Sequence, residues 1–252
     1  DFQEFMVVPR QANTYSKSLK IGVEIYYALK EVLANHSGIT LLGDEGGYAP
    51  ILYSNSDALK LIDEAVQRAG YHLGLDTFFS LDAASNDFYK GGSYKIKDRP
   101  IALSATEFID YYAGLNEEYH LLSIEDALAE DDWDNWQKLT AKIGAETLIV
   151  GDDLITTNLE RLKKAIDKKA CNAIIIKPNQ VGTVTETIAV VQTAKAANLK
   201  LVVSHRSGET NDDFIADFAV GIGAEYVKFG APARGERVAK YNRLLEIEHD
   251  LS

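Results

Sequence analysis

LLSIEDA, residues 121–127, joins a short apolar run to two acids, Glu125 and Asp126. A strand of a parallel sheet is buried on both faces, and carboxylates are costly to bury, so acids at the end of such a run need an explanation. Similar runs with polar ends follow: TLIVGDD, AIIIKPN, LVVSHR and YVKFGA begin about 26 residues apart. Stretches with helical spacing of apolar residues separate them. This repeat of strand, polar end and helix decides the fold class.

Eight short apolar runs are candidate strands, and they begin at residues 2, 39, 77, 121, 147, 173, 201 and 226. Apolar spacing predicts helices at 15–33, 57–69, 105–118, 159–170, 184–197 and 212–223. Strands and helices in alternation predict an α/β fold, specifically an eight-stranded β/α barrel of the TIM type. The 252 residues suit one such barrel, so we expect a single domain over residues 1–252.

Local signals support this division. Ser104 with Glu107 three residues later forms the pattern of a helix capping box, and Asn211 is a candidate cap for the helix predicted at 212–223. The glycines in KGGSY, residues 90–94, predict a hairpin. The sequence therefore predicts two helix starts and a hairpin insertion in addition to the strands.

Composition excludes several classes of protein. A net charge of -12 argues against a nucleic-acid groove or an anionic membrane surface, which would favour the opposite sign. The single cysteine, Cys171, excludes an internal disulfide and favours a reducing compartment, and no apolar stretch is long enough to span a bilayer. We therefore expect a cytoplasmic protein. Because the chain begins with Asp1, we also expect it to be part of something longer.

The polar residues that end the candidate strands are the first candidates for a site. In β/α barrels the chemistry lies at the carboxyl ends of the strands, so these residues are expected to face one pocket. The third to eighth runs end in Asp82, Glu125, Asp152, Lys177, His205 and Lys228, while Glu4 lies in the first run and Glu45 near the end of the second. The alternative for each of them is an ordinary solvated side chain.

Three acids on neighbouring strands predict a metal site. Asp82, Glu125 and Asp152 offer only oxygen ligands, which suit a hard cation such as Mg²⁺ or Mn²⁺. Lys177 follows on the next strand, where a metal and a second lysine would favour loss of its proton, so it is a candidate general base. An ordinary salt bridge to a barrel acid such as Asp153 is the alternative.

Two loops add further candidates. Glycines surround Glu45 in GDEGGYAP, residues 43–50, which is typical of a special loop displaying a carboxyl group, although a plain turn explains the glycines equally well. In SHRSGET, residues 204–210, the side chains of Arg206 and Ser207 can hold a phosphate or a carboxylate.

Several motifs together resemble the enolase family from end to end and in order. They are QEFM (3–6), GDEGGYAP (43–50), SIED (123–126), GDDL (151–154), IKPNQVGT (176–183), SHRSGET (204–210) and GAPARGERVAKYN (230–242). The resemblance implies a Mg²⁺-dependent lyase that reversibly dehydrates 2-phosphoglycerate to phosphoenolpyruvate.

The resemblance also implies roles for individual residues. Asp82, Glu125 and Asp152 would bind the metal, Lys177 would remove the proton beside the carboxylate, and Glu45 would help hydroxide to leave. The remaining group would hold the substrate or orient the catalytic residues: Gln3, Glu4, His205, Arg206, Ser207 and Lys228.

Enolases carry a further N-terminal domain that caps the site, and the resemblance implies that it is absent from this chain and that the full-length protein is a homo-oligomer. Two alternatives stay open. One is another member of the superfamily acting on an acid sugar. The other is an inactive binding module, since many bacterial enolases occur on the cell surface and bind plasminogen. The lysines that would serve that second role are Lys163, Lys164, Lys168 and Lys169.

Overall fold

The computed structural model describes residues 1–10, 14–36 and 40–252. Its strands are β1 (Glu4–Pro9), β2 (Thr77–Asp82), β3 (Tyr89–Lys90), β4 (Ser93–Tyr94), β5 (Leu121–Glu125), β6 (Leu148–Gly151), β7 (Ala173–Ile176), β8 (Lys200–Ser204) and β9 (Tyr226–Lys228). Its α-helices are α1 (Tyr15–His36), α2 (Asn55–Arg68), α3 (Ala105–Tyr119), α4 (Trp133–Ile143), α5 (Leu159–Lys168), α6 (Pro178–Val181), α7 (Val184–Ala196), α8 (Phe214–Gly221) and α9 (Gly235–Leu251). The predicted α/β class is confirmed.

The chain forms two compact units. The first unit comprises Asp1–Met6, Phe79–Val203 and Ala224–Tyr226, and the second comprises Val7–Phe78, Ser204–Gly223 and Val227–Ser252.

The first unit contains the parallel sheet. Its strands hydrogen-bond in the order β1-β2-β5-β6-β7-β8-β9, and every one of these strands contributes residues to this unit. The four pairs from β2 to β8 are parallel, with Ile124 opposite Ile149 and Ile174 opposite Leu201. All four residues of β7 are buried, as expected for a strand covered on both faces.

Helix α4 of the first unit buries one stripe of residues. In α4 the buried residues Trp133, Trp136, Leu139 and Ile143 follow the three- and four-residue spacing of one helix face. Helix α3 begins with the predicted capping box, in which Ser104 and Glu107 exchange hydrogen bonds. The predicted hairpin is also confirmed as β3 and β4, which pair antiparallel across two glycines with positive φ.

The second unit contains α1, α2, α8 and α9. Helix α1 packs against α2 and α9, and α8 packs against α9. The predicted cap at Asn211 is wrong: α8 begins at Phe214, and Asp212 Oδ1 accepts the hydrogen bond from the Phe214 N–H at 3.0 Å. An aspartate that binds the backbone two residues on forms an Asx turn, and this turn precedes the helix.

The predicted strand that begins at residue 39 is wrong over its described residues, 40–45. Leu42 and Tyr48 form only an isolated antiparallel bridge, and Leu41 is 70% exposed. The glycines explain the difference, because they close this segment into a loop on itself. Seven strands form the main sheet in the described part of the chain, so the eight-stranded barrel is not observed there.

No helix in the described ranges is long and apolar enough to cross a membrane.

Candidate functional site

The first unit places two predicted metal ligands side by side. Asp82 ends β2 and Glu125 ends β5, and the two residues are partners in the parallel register. Asp152 follows β6 directly, and all three side chains belong to buried residues. The acids therefore lie where the sequence predicts them, at the carboxyl ends of adjacent strands.

The turn after β6 contains a compact group of carboxylates. Oxygen atoms of Asp126, Asp152 and Asp153 all lie within 4.8 Å of one another. Asp126 adopts a left-handed conformation with φ of 44° and accepts the backbone N–H groups of Asp152 at 2.9 Å and Asp153 at 3.0 Å. Asp126 thus fixes the backbone that presents Asp152. Sequence reasoning left Asp126 out of the metal set, although it lies in the SIED motif beside Glu125.

Burial and mutual repulsion affect these acids. Burial, followed by the charge of Asp152, raises the pKa of Asp126 well above its usual range. The same two causes, in the same order, raise the pKa of Asp153, and the hydrogen bond from the Asn86 amide opposes them. Acids crowded in this way are stabilised by a cation.

The donor set fits a hard cation. Asp152 Oδ1 is a buried oxygen that accepts no hydrogen bond from the described residues, and a buried acceptor normally has a partner. The neighbouring ligand atoms are carboxylate oxygens, which suit Mg²⁺. Asp152 belongs both to the predicted ligand set and to this group of oxygens.

Lys177 contacts the acidic group directly. Its Nζ donates a hydrogen bond to Asp152 Oδ2, and the side chains of Lys177 and Asp152 are 15% and 10% exposed. The ion-pair partner is therefore Asp152, whereas the sequence suggested Asp153. The Lys177 backbone N–H donates to Thr157 Oγ1 at 2.9 Å, and that hydroxyl donates to Gln180 Oε1 at 2.7 Å. These bonds fix the backbone from which the amine projects.

Gln3 and Glu4 lie at the N-terminal end of β1. Gln3 is exposed and precedes β1, and Glu4 is the first residue of β1 and is partly buried.

The second unit holds Glu45 on a tight loop. The N–H of Gly43 donates to Gly47 O at 2.8 Å, and that of Gly46 donates to Gly43 O at 3.1 Å. Gly46 has φ of +84°, and a Cβ there would lie 2.8 Å from Ala233 O. Only glycine fits this position without a shift of the backbone, so the loop around Glu45 is a specific structure and not a generic turn.

Glu45 contacts two residues of the SHRSGET segment. Its Oε1 accepts a hydrogen bond from Ser207 Oγ at 2.8 Å, and its Oε2 lies 3.1 Å from His205 Nε2. His205 is 3% exposed. Burial lowers the pKa of His205; Glu45 opposes that shift, and the charges of Arg237 and Lys228 add to it.

A buried arginine and a buried lysine support this segment from α9. Arg237 donates to Arg206 O and to Ser207 O, each at 2.6 Å, and it also contacts His205 Nδ1 at 2.7 Å. Lys240 donates to Thr210 O at 3.0 Å and forms an ion pair of 3.1 Å with Glu209. Sequence reasoning missed both residues.

Comparison with known proteins gives the family. The profile described as "Enolase, C-terminal TIM barrel domain" matches residues 1–252. The chain belongs to this family. It is 50% identical over 251 residues to "Enolase" of Rubrobacter xylanophilus, and the match covers 100% of this chain and 58% of the relative. The chain thus spans little more than half the length of that enolase, and the resemblance inferred from the motifs is confirmed.

In this member of the enolase family, the other predicted substrate residues differ in burial. Lys228 ends β9 and is partly buried, and its carbonyl accepts the His205 N–H at 3.0 Å. Arg206 is exposed, and its backbone N–H donates to Glu209 Oε1 at 3.1 Å. Glu45, His205 and Ser207 therefore form a contacting group within the second unit, with Lys228 adjoining it through the backbone.

The lysines proposed for partner binding have local contacts in this member of the enolase family. Lys163 pairs with Glu160 at 2.8 Å, and Lys168 pairs with Asp134 at 2.7 Å. Lys164 Nζ lies 4.2 Å from the centroid of the Trp133 ring. These contacts are ordinary for a solvated helix surface.

Proposed function

We propose that this chain is the catalytic barrel domain of an enzyme that dehydrates 2-phosphoglycerate to phosphoenolpyruvate with Mg²⁺. The observation that carries the proposal is the pairing of Asp152 with Lys177: a buried carboxylate, one oxygen of which accepts no hydrogen bond from the described residues, lies beside a partly buried lysine amine. Membership of the enolase barrel family supports the choice of reaction.

Asp82, Glu125 and Asp152 would bind the metal, and Asp126 would hold the backbone of Asp152 in place. When bound, Mg²⁺ stabilises the negative charge that develops on the substrate carboxylate as the adjacent carbon loses its proton. The carboxylates of Asp126 and Asp153 around Asp152, together with the Asp152 Oδ1 atom, support this assignment at Asp152. The register that pairs Asp82 with Glu125 supports it for the other two acids.

Lys177 is the proposed base. Its Nζ takes the proton from the carbon that carries the phosphate, and the electron pair of that bond forms the new carbon–carbon double bond. For this step the amine must be free of its proton and of the hydrogen bond to Asp152 Oδ2. We therefore expect Asp152 to exchange that bond for the cation when the site is loaded.

Glu45 is the proposed acid. It gives a proton to the hydroxyl group that leaves, so that water departs as the carbon–oxygen bond breaks. In the structure both carboxylate oxygens of Glu45 face donors, Ser207 and His205, which is the arrangement of the charged form. Glu45 must therefore take up a proton from solvent, and substrate must replace one of these two donors, before Glu45 can act as an acid. The proposed role as an acid gives a reason for a carboxyl group on this tight loop.

The remaining predicted residues would hold the substrate anions. The guanidinium of Arg206 suits phosphate or carboxylate, and Ser207, His205 and Lys228 add hydrogen bonds or positive charge. Gln3 and Glu4 stay predictions as substrate contacts.

The first experiment measures phosphoenolpyruvate formed from 2-phosphoglycerate in a coupled absorbance assay, with and without Mg²⁺. We expect Mg²⁺-dependent activity that is lost in Lys177→Ala and kept in Lys163→Ala, which removes an exposed lysine from an ion pair. Activity that persists in Lys177→Ala would refute the assignment of the base.

Because the enolase relative is longer than this chain, a second measurement is needed that does not depend on turnover. Titration calorimetry with Mg²⁺ should show binding that is lost in Asp152→Asn. Asp134→Asn removes an exposed carboxylate that is paired with Lys168, and this control should leave binding unchanged. Equal binding by all three proteins would refute the metal site.

The alternatives have less support. The family match favours the phosphoglycerate reaction over an acid-sugar substrate, and the contacts of Lys163, Lys164 and Lys168 give the plasminogen-binding module no separate support. Homo-oligomer formation by the full-length protein, the capping domain, closure of the eight-stranded barrel and the cytoplasmic or cell-surface location stay predictions.

A further inference from the structure

Arg237 makes an unusual set of contacts for a charged residue. It is 1% exposed, and its guanidinium faces the Arg206 and Ser207 carbonyl oxygens and the His205 ring. A guanidinium has only donors and does not lose its proton in proteins. The carbonyl oxygens accept two of its hydrogen bonds. The contact of 2.7 Å with His205 Nδ1 therefore requires that this nitrogen be an acceptor.

The state of the other ring nitrogen follows. A neutral imidazole with an accepting Nδ1 carries its proton on Nε2, and that nitrogen lies 3.1 Å from Glu45 Oε2. A doubly protonated ring would bring an N–H against an N–H of Arg237. We propose that Arg237 is a positioning residue that keeps His205 neutral and directs its Nε2–H toward Glu45.

The charges around His205 agree with this assignment. Burial disfavours the imidazolium ion, and the positive charges of Arg237 on α9 and Lys228 on β9 act in the same direction. The carboxylate of Glu45 acts in the opposite direction and favours protonation. Without Arg237, a buried His205 facing a carboxylate would gain a proton more readily.

Only the consequence of a neutral His205 for catalysis rests on the proposed function. A neutral His205 donates to Glu45 without giving it a proton, so Glu45 receives one directed hydrogen bond from His205 and another from Ser207. In the proposed reaction this fixes the orientation of the acid before substrate arrives. The protonation state itself can be measured without turnover.

A purely structural role for Arg237 is the competing explanation, because it also ties together the backbone of the SHRSGET segment. Lys240 provides a matched control for that role. It lies on the same helix, is also 1% exposed, and donates to the Thr210, Asp212 and Glu236 carbonyl oxygens. These hydrogen bonds, and the ion pair of Lys240 with Glu209, are with residues other than His205.

The test is a long-range ¹H–¹⁵N spectrum of the chain with labelled histidine, recorded from mildly acidic to alkaline pH. Comparison with His205→Gln assigns the His205 signals among the five histidines. We expect a neutral ring near neutral pH, with the proton on Nε2 and a hydrogen-bonded Nδ1. A ring protonated on Nδ1, or on both nitrogens, in the unaltered chain would overturn the proposal without any variant.

Variants then separate the two roles. In Arg237→Met we expect the His205 titration to shift to higher pH and the Nδ1 hydrogen bond to be lost. Lys240→Met should leave both signals unchanged while lowering the urea midpoint by a comparable amount. Arg237→Lys, which keeps the charge and one donor group, should restore the neutral ring at least in part.

A folded Arg237→Met protein with an unchanged His205 titration would refute the role of Arg237. If that variant does not fold, Arg237→Lys and Arg237→Gln take its place, since both keep a donor and they differ in charge. His205 should then titrate at higher pH in Arg237→Gln than in Arg237→Lys. Failure of the proposed reaction would appear instead as Lys177-independent activity or absent Mg²⁺ binding, with these spectra unaffected.

Discussion

Gly230 is the position where one added methyl group should disturb the Glu45 and His205 group most directly. A Cβ at Gly230 would lie 2.8 Å from Glu45 O, 3.0 Å from Arg237 Cδ and 3.0 Å from His205 Cε1. Glu45 O is backbone and accepts the Ala231 N–H at 3.0 Å, so it cannot move away without losing that bond. The substitution Gly230→Ala therefore perturbs backbone and side chains of the site at once.

The expected loss of stability has two parts. Gly230 has φ of +85°, and an alanine in the left-handed region costs about 1–2 kcal/mol. Crowding in a packed environment adds about 1–3 kcal/mol. Gly70 separates the two parts, because it has φ of +83° and nothing within 4 Å of its added Cβ. Gly70→Ala should show the first part alone.

The assay is urea unfolding followed by circular dichroism, with thermal midpoints as a second measure. Gly230→Ala should be less stable than Gly70→Ala by about 1–3 kcal/mol, and each kcal/mol corresponds to a shift of about 2–4 °C. The His205 signals should also move in Gly230→Ala and stay in place in Gly70→Ala. Equal midpoints for the two variants would refute the inferred crowding and, with it, the close packing of Gly230 against the Glu45 loop.

Three further predictions concern the first unit. Burial, followed by the charge of Asp126, raises the pKa of the Cys171 thiol to about 12. Cys171 should therefore react with iodoacetamide at mildly alkaline pH only after unfolding. Rapid reaction in the folded chain would contradict its burial. Because the folded thiol keeps its proton to higher pH than the unfolded thiol, the free energy of unfolding should fall as pH rises from about 9 toward 12. Ser104→Ala should destabilise the protein by about 0.5–2 kcal/mol in urea titrations because it removes the cap of α3, whereas Glu107→Gln keeps the reciprocal bond and should cost less. Equal losses in those two variants would show that the hydroxyl cap is not what stabilises the helix start.

The strands of the main sheet could be predicted because their runs are short, apolar and evenly spaced. AIII at residues 173–176 is buried throughout. A strand that is covered on both faces can be recognised as a continuous apolar run, without alternating polar residues. The segment at 40–45 also has apolar residues, but its glycines let the backbone close on itself, and Leu41 remains exposed. Loop closure at GDEGG outweighed the apolar run, and hydrophobicity alone could not have distinguished the two outcomes.

The acids of the first unit could be predicted from the rule that parallel strands place their carboxyl ends at one edge. That rule locates Asp82, Glu125 and Asp152 but not the contacts they form. The pairing of Lys177 with Asp152 rather than Asp153 depends on the turn after β6, and Asp126 fixes that turn from a left-handed conformation. A non-glycine residue with positive φ leaves no clear sign in a single sequence.

Arg237 and Lys240 show where sequence reasoning could have gone further. The buried residues of α9 are Arg237, Lys240 and Leu244, at the spacing of one helix face. A charged residue on the apolar stripe of a helix is costly unless its donors are satisfied, and an arginine needs acceptors in several directions. Backbone carbonyl groups of an irregular loop can supply these acceptors, and SHRSGET is such a loop. Two basic residues on one buried stripe therefore indicate that the helix holds a loop in place. Here the held loop carries His205 and Ser207, which contact Glu45. Hydrogen bonds to loop carbonyl groups thus offset the cost of burying the two cations and also hold the partners of the proposed acid in place.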